Sequence, residues 1–195
     1  MEMKRREYFL ETERIGFSRW QEDDTDLAMR LWGDSAVTGY LCASGHFSEE
    51  EVLRRLETEI ENERRRGIQY WPVFALKTGD LIGCCGLRMR GDGEYELGFH
   101  LRPQYWGKGL ASEAGRAVIA RAFEEYGIAG LRAGHHPQNS ASRHVLEKLG
   151  FRYTGSLYYE PTGLMHPSYV LEKPAAGRDH RKTAGKCPED KSAVL

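Results

Sequence analysis

Apolar residues recur along this chain at helical spacing in some segments and at strand spacing in others. The clearest helix follows Ser48, where the capping box 48–51 precedes Val52, Leu56 and Ile60, and Gly67 marks its end. The other face of this helix carries a run of charged residues that is predicted to be solvated: Arg54, Arg55, Glu57, Glu59, Glu61, Arg64 and Arg65.

Three strand-like runs follow that helix, and the links between them are so short that antiparallel hairpins are predicted. In chain order, the predicted elements are a strand at 14–20, a helix after 23–26, the capped helix, strands at 70–76, 81–90 and 94–101, a helix at 109–126, a strand at 131–135, a helix at 140–149, and strands at 151–159 and 165–171. This order, β-α-α-β-β-β-α-β-α-β-β, predicts an α/β (α+β) fold. Its central sheet is mixed and mostly antiparallel, with flanking helices and one parallel crossover after the hairpins.

Composition narrows the class of protein. The chain has 195 residues, enough for one domain with a substantial core, and its formal net charge of -1 argues against nucleic acid or an anionic membrane as the main partner. No secretory signal and no membrane span is recognisable, which predicts a cytoplasmic protein. The domain is predicted at 8–172. The segment 173–195 lacks apolar periodicity and is predicted to be a disordered tail.

The cysteines carry no sign of a metal site. Cys42, the adjacent Cys84 and Cys85, and Cys187 lack the spacing of zinc ligands. We therefore expect reduced thiols and no bound metal.

Candidate chemistry begins with the glycine-rich start of the fourth predicted helix. Gly107 and Gly109 precede it, and the free N–H groups and positive dipole of a helix start bind anions such as phosphate. No Walker A sequence is present. A dinucleotide fingerprint is disfavoured because Ser112 stands at its third glycine position and the preceding hairpins do not fit a doubly wound sheet.

Two motifs carry a resemblance to a known family. The segment Trp106-Gly107-Lys108-Gly109-Leu110-Ala111 resembles the acetyl-CoA pyrophosphate loop of the GNAT superfamily of N-acetyltransferases, Arg/Gln-x-x-Gly-x-Gly/Ala. Gly109 and Ala111 match, whereas Trp106 stands where Gln or Arg is usual. The segment 139–151 resembles the downstream helix of that family, Asn-x-x-Ser-x-x-x-x-Glu-Lys-x-Gly-Phe. The resemblance covers residues 8 to 172, and segment 10–15 resembles the opening strand of the branch that acetylates the N-termini of ribosomal proteins.

The resemblance implies the GNAT fold and direct transfer of an acetyl group from acetyl-CoA to a primary amine. A ribosomal-protein N-terminus is the acceptor that the branch implies. A small-molecule amine such as a polyamine, an antibiotic or an amino sugar stays open, as does a non-catalytic sensor that binds acyl-CoA. The sequence leaves a monomer and a homodimer equally open.

The resemblance also implies which residues bind acetyl-CoA. The pyrophosphate is expected on the backbone of the loop, with Lys108 as a charge partner, and the pantetheine and acetyl carbonyl on the backbone where the preceding strand separates from its neighbour. The expected cofactor-binding residues are Phe99, His100, Leu101, Trp106, Gly107, Lys108, Gly109, Leu110, Ala111, Ser112 and Asn139.

Two residues are expected to move protons. Glu96 stands where the family often carries an active-site carboxylate and is the candidate general base. The alternative role for Glu96 is that of a strand residue paired with an arginine. Glu94 is the second candidate for the base. Many relatives protonate the leaving thiolate with a tyrosine, but Leu146 holds that position here. Ser142 resembles the serine that has this role in the ribosomal-protein branch. The alternative for Ser142 is a capping hydroxyl. The adjacent histidines at 135 and 136 are predicted to be a solvated loop pair.

Overall fold

The structure is a computed structural model that describes residues 6–91 and 93–174. In chain order its elements are β1 (Leu10–Glu11), β2 (Ile15–Phe17), α1 (Thr25–Trp32), α2 (Ser35–Thr38), α3 (Glu49–Arg66), β3 (Tyr70–Ala75), β4 (Leu81–Met89), β5 (Tyr95–Leu101), a 3-10 turn (Pro103–Tyr105), α4 (Leu110–Glu124), β6 (Gly130–Gly134), α5 (Ser140–Lys148), β7 (Arg152–Tyr159) and β8 (Leu164–Glu172).

All eight strands of the described residues form one sheet in the order β1-β2-β3-β4-β5-β6-β8-β7. Every neighbouring pair is antiparallel except β5 and β6, which are parallel and are connected through α4. The predicted mixed, mostly antiparallel sheet with one parallel crossover is therefore confirmed.

Helices cover both faces of the sheet. Alternation along β3 turns Trp71 and Val73 to one face and Tyr70 and Phe74 to the other. The first face packs against α4 and α5 and forms the larger core, whereas the second packs against α1, α2 and α3. Because the sheet lies between two helical layers, a cleft that passes between two of its strands reaches both layers.

Helix α3 begins as its sequence predicts. The Ser48 hydroxyl accepts from the Glu51 N–H while the Glu51 carboxylate accepts from the Ser48 N–H, and Gly67 ends the helix in a left-handed conformation. The prediction that its whole charged run is solvated is wrong for Glu59, which is completely buried. Glu59 lies seven residues after Val52, so it shares the apolar face of the helix.

Two short elements could not be predicted from periodicity. Strand β1 has two residues and lies in the segment 10–15, which the resemblance identifies as an opening strand, whereas helix α2 has four residues and was not predicted. The predicted tail 173–195 lies outside the described residues from position 175 onward, as does Cys187. Lys173 is described, and its N–H donates to the Ala129 carbonyl at 2.8 Å. Within the part of the chain that the structure describes, no helix is long and apolar enough to cross a membrane.

Candidate functional site

A cleft of about 1030 Å³ opens where β5 and β6 separate. Among the described residues, the parallel ladder between these strands joins only Tyr95 with Leu131 and Glu96 with Arg132. Beyond these pairs the two strands continue without pairing, and the rest of β5 lines the cleft. One end of the cleft meets the starts of α4 and α5; the other meets α2, α3 and the hairpin of β7 and β8.

The ladder between β4 and β5 decides which backbone groups of β5 face this cleft. The Arg102 N–H donates to the Ile82 carbonyl at 2.9 Å, just beyond the last strand pair. Because bonding pairs alternate along an antiparallel ladder, the backbone groups of Phe99 and Leu101 face the unpaired edge and those of His100 face β4. The structure thus corrects the expectation for His100, whose backbone is turned away from the cofactor position.

The His100 side chain instead reaches the cleft on the face covered by α1 to α3. Its Nδ1 accepts a hydrogen bond of 3.2 Å from Trp32 Nε1, which leaves the proton of a neutral imidazole on Nε2. Removal from water lowers the pKa of His100 well below its ordinary value, and the charges of Arg55 and Arg88 lower it further. Both effects favour the neutral form of the His100 imidazole.

The loop before α4 has the geometry of an anion cradle. Gly107 and Gly109 have φ of 71° and 76°, and α4 begins directly afterwards at Leu110. Trp106, Gly107, Gly109, Leu110, Ala111 and Ser112 all line the cleft. Lys108 lies outside that lining, with its ammonium 5.5 Å from the Tyr105 ring centroid, so its predicted part as a charge partner in the cleft is not supported.

Arg14 holds this loop against the first strands. Its guanidinium donates to the Lys108 carbonyl at 3.0 Å and pairs with Glu113 at 2.6 Å. Glu113 lies in the first turn of α4, and it also accepts from the Thr12 hydroxyl at 2.5 Å. The start of α4 is therefore fixed to the segment between β1 and β2, with the charge of Glu113 paired.

Trp106 also fixes the loop. Its indole Nε1 donates to the Leu101 carbonyl at 2.7 Å, which occupies one backbone acceptor at the unpaired edge. The family pattern fits fully if it starts at Gln104, since Gln104, Gly107 and Gly109 then satisfy all three fixed positions. The match that starts at Trp106 is therefore wrong by two residues. Gln104 is the residue that indicates the correct register.

Glu96 lines the cleft with both carboxylate oxygens engaged. Oε1 accepts from the Tyr70 hydroxyl at 3.1 Å and Oε2 from the Arg90 guanidinium at 2.8 Å. The arginine pairing expected as the alternative for Glu96 is thus present, yet its side chain stays about one quarter exposed (26%). Glu94, the second candidate for the base, pairs with Arg132 and is not part of the cleft lining.

A buried charge cluster, not predicted from the sequence, lies beside the same cleft. The completely buried Glu59 pairs with Arg55 at 3.0 Å and Arg88 at 2.6 Å, and both arginines line the cleft. Both guanidiniums also contact the Tyr70 ring, with Cζ 5.4 Å (Arg55) and 4.6 Å (Arg88) from its centroid. The position of Glu59 on the apolar face of α3 was the only signal in the sequence.

Helix α5 brings its start to the opposite end of the cleft. Asn139 caps it, since its side-chain oxygen accepts from the Ser142 N–H at 3.0 Å. Among the described residues the Ser142 hydroxyl has no hydrogen-bond partner, so the capping role belongs to Asn139. Both residues line the cleft, whereas Leu146 is buried in the core.

The histidines after β6 are not a solvated pair. His135 is buried, and its Nε2 lies 3.2 Å from the Tyr169 hydroxyl. His136 stacks against Tyr40 with ring centroids 4.9 Å apart and meets His166 edge-on. The prediction for this pair is therefore wrong, because the hairpin of β7 and β8 covers it.

Known acetyltransferases are similar to this chain in sequence. Residues 14–152 match the family described as acetyltransferase (GNAT) domain. An uncharacterized N-acetyltransferase, p20, of Bacillus licheniformis is 29% identical over 83% of this chain and 93% of its own length. The FsC-acetyl coenzyme A-N(2)-transacetylase of Aspergillus fumigatus is 35% identical over 76% of this chain and 67% of its own.

A solved structure shows the same fold. RimL, a ribosomal-protein alpha-N-acetyltransferase in complex with coenzyme A, superimposes with a TM-score of 0.72 at 15% identity, covering 85% of this chain and 98% of that one. The chain therefore belongs to the GNAT family of acetyltransferases, as its two motifs predicted.

Proposed function

We propose that this chain transfers the acetyl group of acetyl-CoA to a primary amine by direct attack within the cleft. One observation carries the proposal: a single cleft joins a glycine-flanked helix start, an unpaired strand edge and the carboxylate of Glu96. These are the parts needed to hold a pyrophosphate, to align a thioester and to receive a proton.

The residues present fit acetyl-CoA. Among the described residues, no atom lies within 4 Å of the position that a Cβ on Gly107 would occupy, so the loop leaves open space at a backbone conformation that favours glycine. The N–H groups from Gly107 to Ser112 would hold the pyrophosphate, and the backbone of Phe99 would meet the pantetheine arm. When bound, acetyl-CoA supplies a thioester whose C–S bond breaks as the new C–N bond forms.

Two side chains would handle the protons. Glu96 receives the proton that the amine loses, directly or through one water, while Tyr70 and Arg90 fix the direction of its carboxylate. The Ser142 hydroxyl, which has no protein partner among the described residues, passes a proton to the departing thiolate and takes one in turn from solvent. A thiol has a pKa near about 8.5, so this second transfer is the less demanding one.

The acceptor is proposed only as a class. The name of RimL, an alpha-N-acetyltransferase of ribosomal protein, is the support for a protein N-terminal amine as acceptor. At 15% identity, the structural similarity itself shows only that the two proteins share a fold. Small-molecule amines are the alternative class of acceptor. The free thiols Cys42, Cys84 and Cys85 support a reducing compartment such as the cytoplasm.

The decisive test follows free thiol while the full chain is incubated with acetyl-CoA and a panel of amines, including peptide N-termini. Amine-dependent thiol release is expected. Tight coenzyme A binding with no release from any amine would leave a non-catalytic acyl-CoA sensor instead.

A matched pair of glycines tests the loop. Gly107 and Gly127 both have positive φ and open space where a Cβ would stand, but only Gly107 lines the cleft. We expect Gly107→Ala to lose coenzyme A protection against thermal unfolding, and Gly127→Ala to keep it with a similar strain of about 1 kcal/mol. Retained protection in Gly107→Ala would refute the loop assignment.

A further inference from the structure

We propose that the amine acceptor carries a carboxylate and that Arg55 and Arg88 bind it at the α3 end of the cleft. This inference rests on the proposed function, since it names the substrate class of the same cleft. The charge cluster of Glu59, Arg55 and Arg88 has no part in the proposed binding of acetyl-CoA.

The cluster holds more positive than negative charge. Glu59 has two oxygens: Oε2 accepts from the Tyr70 N–H at 2.8 Å, and Oε1 is shared by Arg55 and Arg88. One carboxylate therefore faces two guanidiniums, and the cluster keeps one uncompensated positive charge. Burying such a charge without a partner is unfavourable, which favours an anion beside it.

The guanidiniums also have donors to spare. Arg88 gives one hydrogen bond, from NH2 to Glu59 at 2.6 Å, and the Nε atoms of both Arg55 and Arg88 are buried with no hydrogen-bond partner among the described residues. Arg55 Nε lies close to Glu59 as an ion pair, without the geometry of a hydrogen bond. The side chains are only 17% and 31% exposed, and both line the cleft. A pair of planar guanidiniums with unused donors suits a carboxylate, which accepts at both oxygens.

This cluster lies one side chain away from the candidate base. Arg88 is the register partner of Glu96 in the ladder between β4 and β5, so both side chains lie on one face of the sheet. The Tyr70 ring contacts both arginines, and its hydroxyl bonds to Glu96. An acceptor with its amine at Glu96 and its carboxylate at Arg55 and Arg88 is thus a small molecule whose two groups are a few bonds apart.

Other charges at this end do not cancel the cluster. Arg90 pairs with Glu96. The carboxylate of Glu51 accepts from the N–H of Ser48 in the helix cap, and its negative charge interacts with Arg54 and His46. A polyamine would bring positive charge against two arginines. A peptide N-terminus offers an amide carbonyl where the inference requires a carboxylate.

The first test compares matched acceptors on the unaltered full chain. Glycine, β-alanine and γ-aminobutyrate are assayed against their carboxamides, with thiol release from acetyl-CoA as the readout. We expect at least one acid to exceed its amide in kcat/KM by about tenfold or more, the worth of a charge-assisted hydrogen bond. Equal values for every acid and its amide would overturn the carboxylate assignment and leave the acetyltransferase intact.

The second test assigns the preference to Arg55. Arg55→Gln should lower the ratio of kcat/KM for the acid to kcat/KM for its amide, and this ratio does not depend on any loss of rate common to both acceptors. Coenzyme A protection against thermal unfolding reports separately that the variant is folded. Arg54→Gln is the matched control, because Arg54 is the exposed neighbour on the same helix and pairs with Glu50. An acid preference that survives in Arg55→Gln would overturn the assignment.

A binding measurement separates this inference from the proposed function. If no amine releases thiol, calorimetry on the coenzyme A-saturated protein compares N-acetylglycine with N-acetylglycinamide. Binding that requires both the carboxylate and Arg55 would uphold the anion site while the catalytic proposal fails. Equal or absent binding of the two compounds would overturn it.

Discussion

The hydroxyl of Tyr70 on β3 donates a hydrogen bond of 3.1 Å to Glu96 on β5, although β4 lies between the two strands. The reach is possible because glycines occupy the intervening positions: Gly86 pairs with Tyr70, and Gly98 pairs with Gly86. A Cβ on Gly98 would overlap the Tyr70 ring. The tyrosine therefore lies across the sheet and links the arginine cluster to the candidate base.

Gly98→Ala tests this arrangement. The added methyl group should displace the Tyr70 ring and lower the free energy of unfolding by about 1–3 kcal/mol, a usual penalty for overpacking. Chemical denaturation measures the loss, and activity should fall with it. Gly91→Ala is the control because no atom of the part of the chain that the structure describes lies within 4 Å of its Cβ position. Equal stabilities of the two variants would contradict the overlap of a Cβ on Gly98 with the Tyr70 ring.

Glu96→Gln tests the base. The amide keeps the size of the side chain and removes its ability to take a proton, so kcat should fall by about 10²-fold or more. The affinity for coenzyme A should stay unchanged. Glu94→Gln is the control from the same hairpin, and it should retain activity because Glu94 lies outside the cleft lining. An unchanged kcat in Glu96→Gln would remove Glu96 from the mechanism.

Ser142→Ala tests the proton donor. The cap of α5 should survive, since Asn139 accepts from the backbone N–H of position 142 and not from its hydroxyl. Stability should thus be unchanged while kcat falls by less than about tenfold, because a leaving thiol with a pKa near about 8.5 needs little protonation at neutral pH. A loss of stability without a loss of kcat would make Ser142 structural.

His100 should make the fold sensitive to acid. Its pKa is lowered in the folded state by burial and by Arg55 and Arg88, so below the ordinary pKa of 6.5 the unfolded chain binds a proton that the folded chain does not. Stability is therefore complete above about pH 6.5 and falls as the pH falls, by up to about 1.4 kcal/mol per pH unit from this group.

His100→Asn retains an acceptor for Trp32 and should reduce that slope in denaturation experiments between pH 7 and about pH 5. The remaining slope has other sources, because burial also lowers the pKa of His136 and of His166. His144→Asn, on the exposed surface of α5, serves as the control. An identical slope in the His100 variant and the wild type would contradict the assignment.

Most of the fold could be predicted because the signals that define its longer elements lie close to them in the sequence. The cap at Ser48, the stop at Gly67 and the short links between β3, β4 and β5 all lie within a few residues of the elements they define. Elements of two to four residues, such as β1 and α2, are too short to carry a period.

The site could be predicted only in part, because half of it depends on contacts distant in sequence. The loop at Gly107 and the cap at Asn139 are local motifs. The cluster of Glu59, Arg55 and Arg88 needs α3 packed on β4, and in the sequence these charges merge into a helix that looks exposed. The backbone direction of His100 likewise depends on a register that only the assembled sheet fixes.

The two-pair ladder between β5 and β6 divides the sheet into two leaves, a five-stranded one (β1 to β5) and a three-stranded one (β6, β8 and β7). The seam between the leaves is this short ladder and the unpaired edges beyond it. A ligand lying in that seam touches both leaves and replaces the hydrogen bonds that the strands do not make to each other. Ligand binding in the cleft is therefore expected to raise the free energy of unfolding. At a hundredfold excess over Kd, a ligand specific for the folded state adds about 2.7 kcal/mol. The cleft proposed to bind acetyl-CoA thus lies where neighbouring strands of the sheet share few backbone hydrogen bonds.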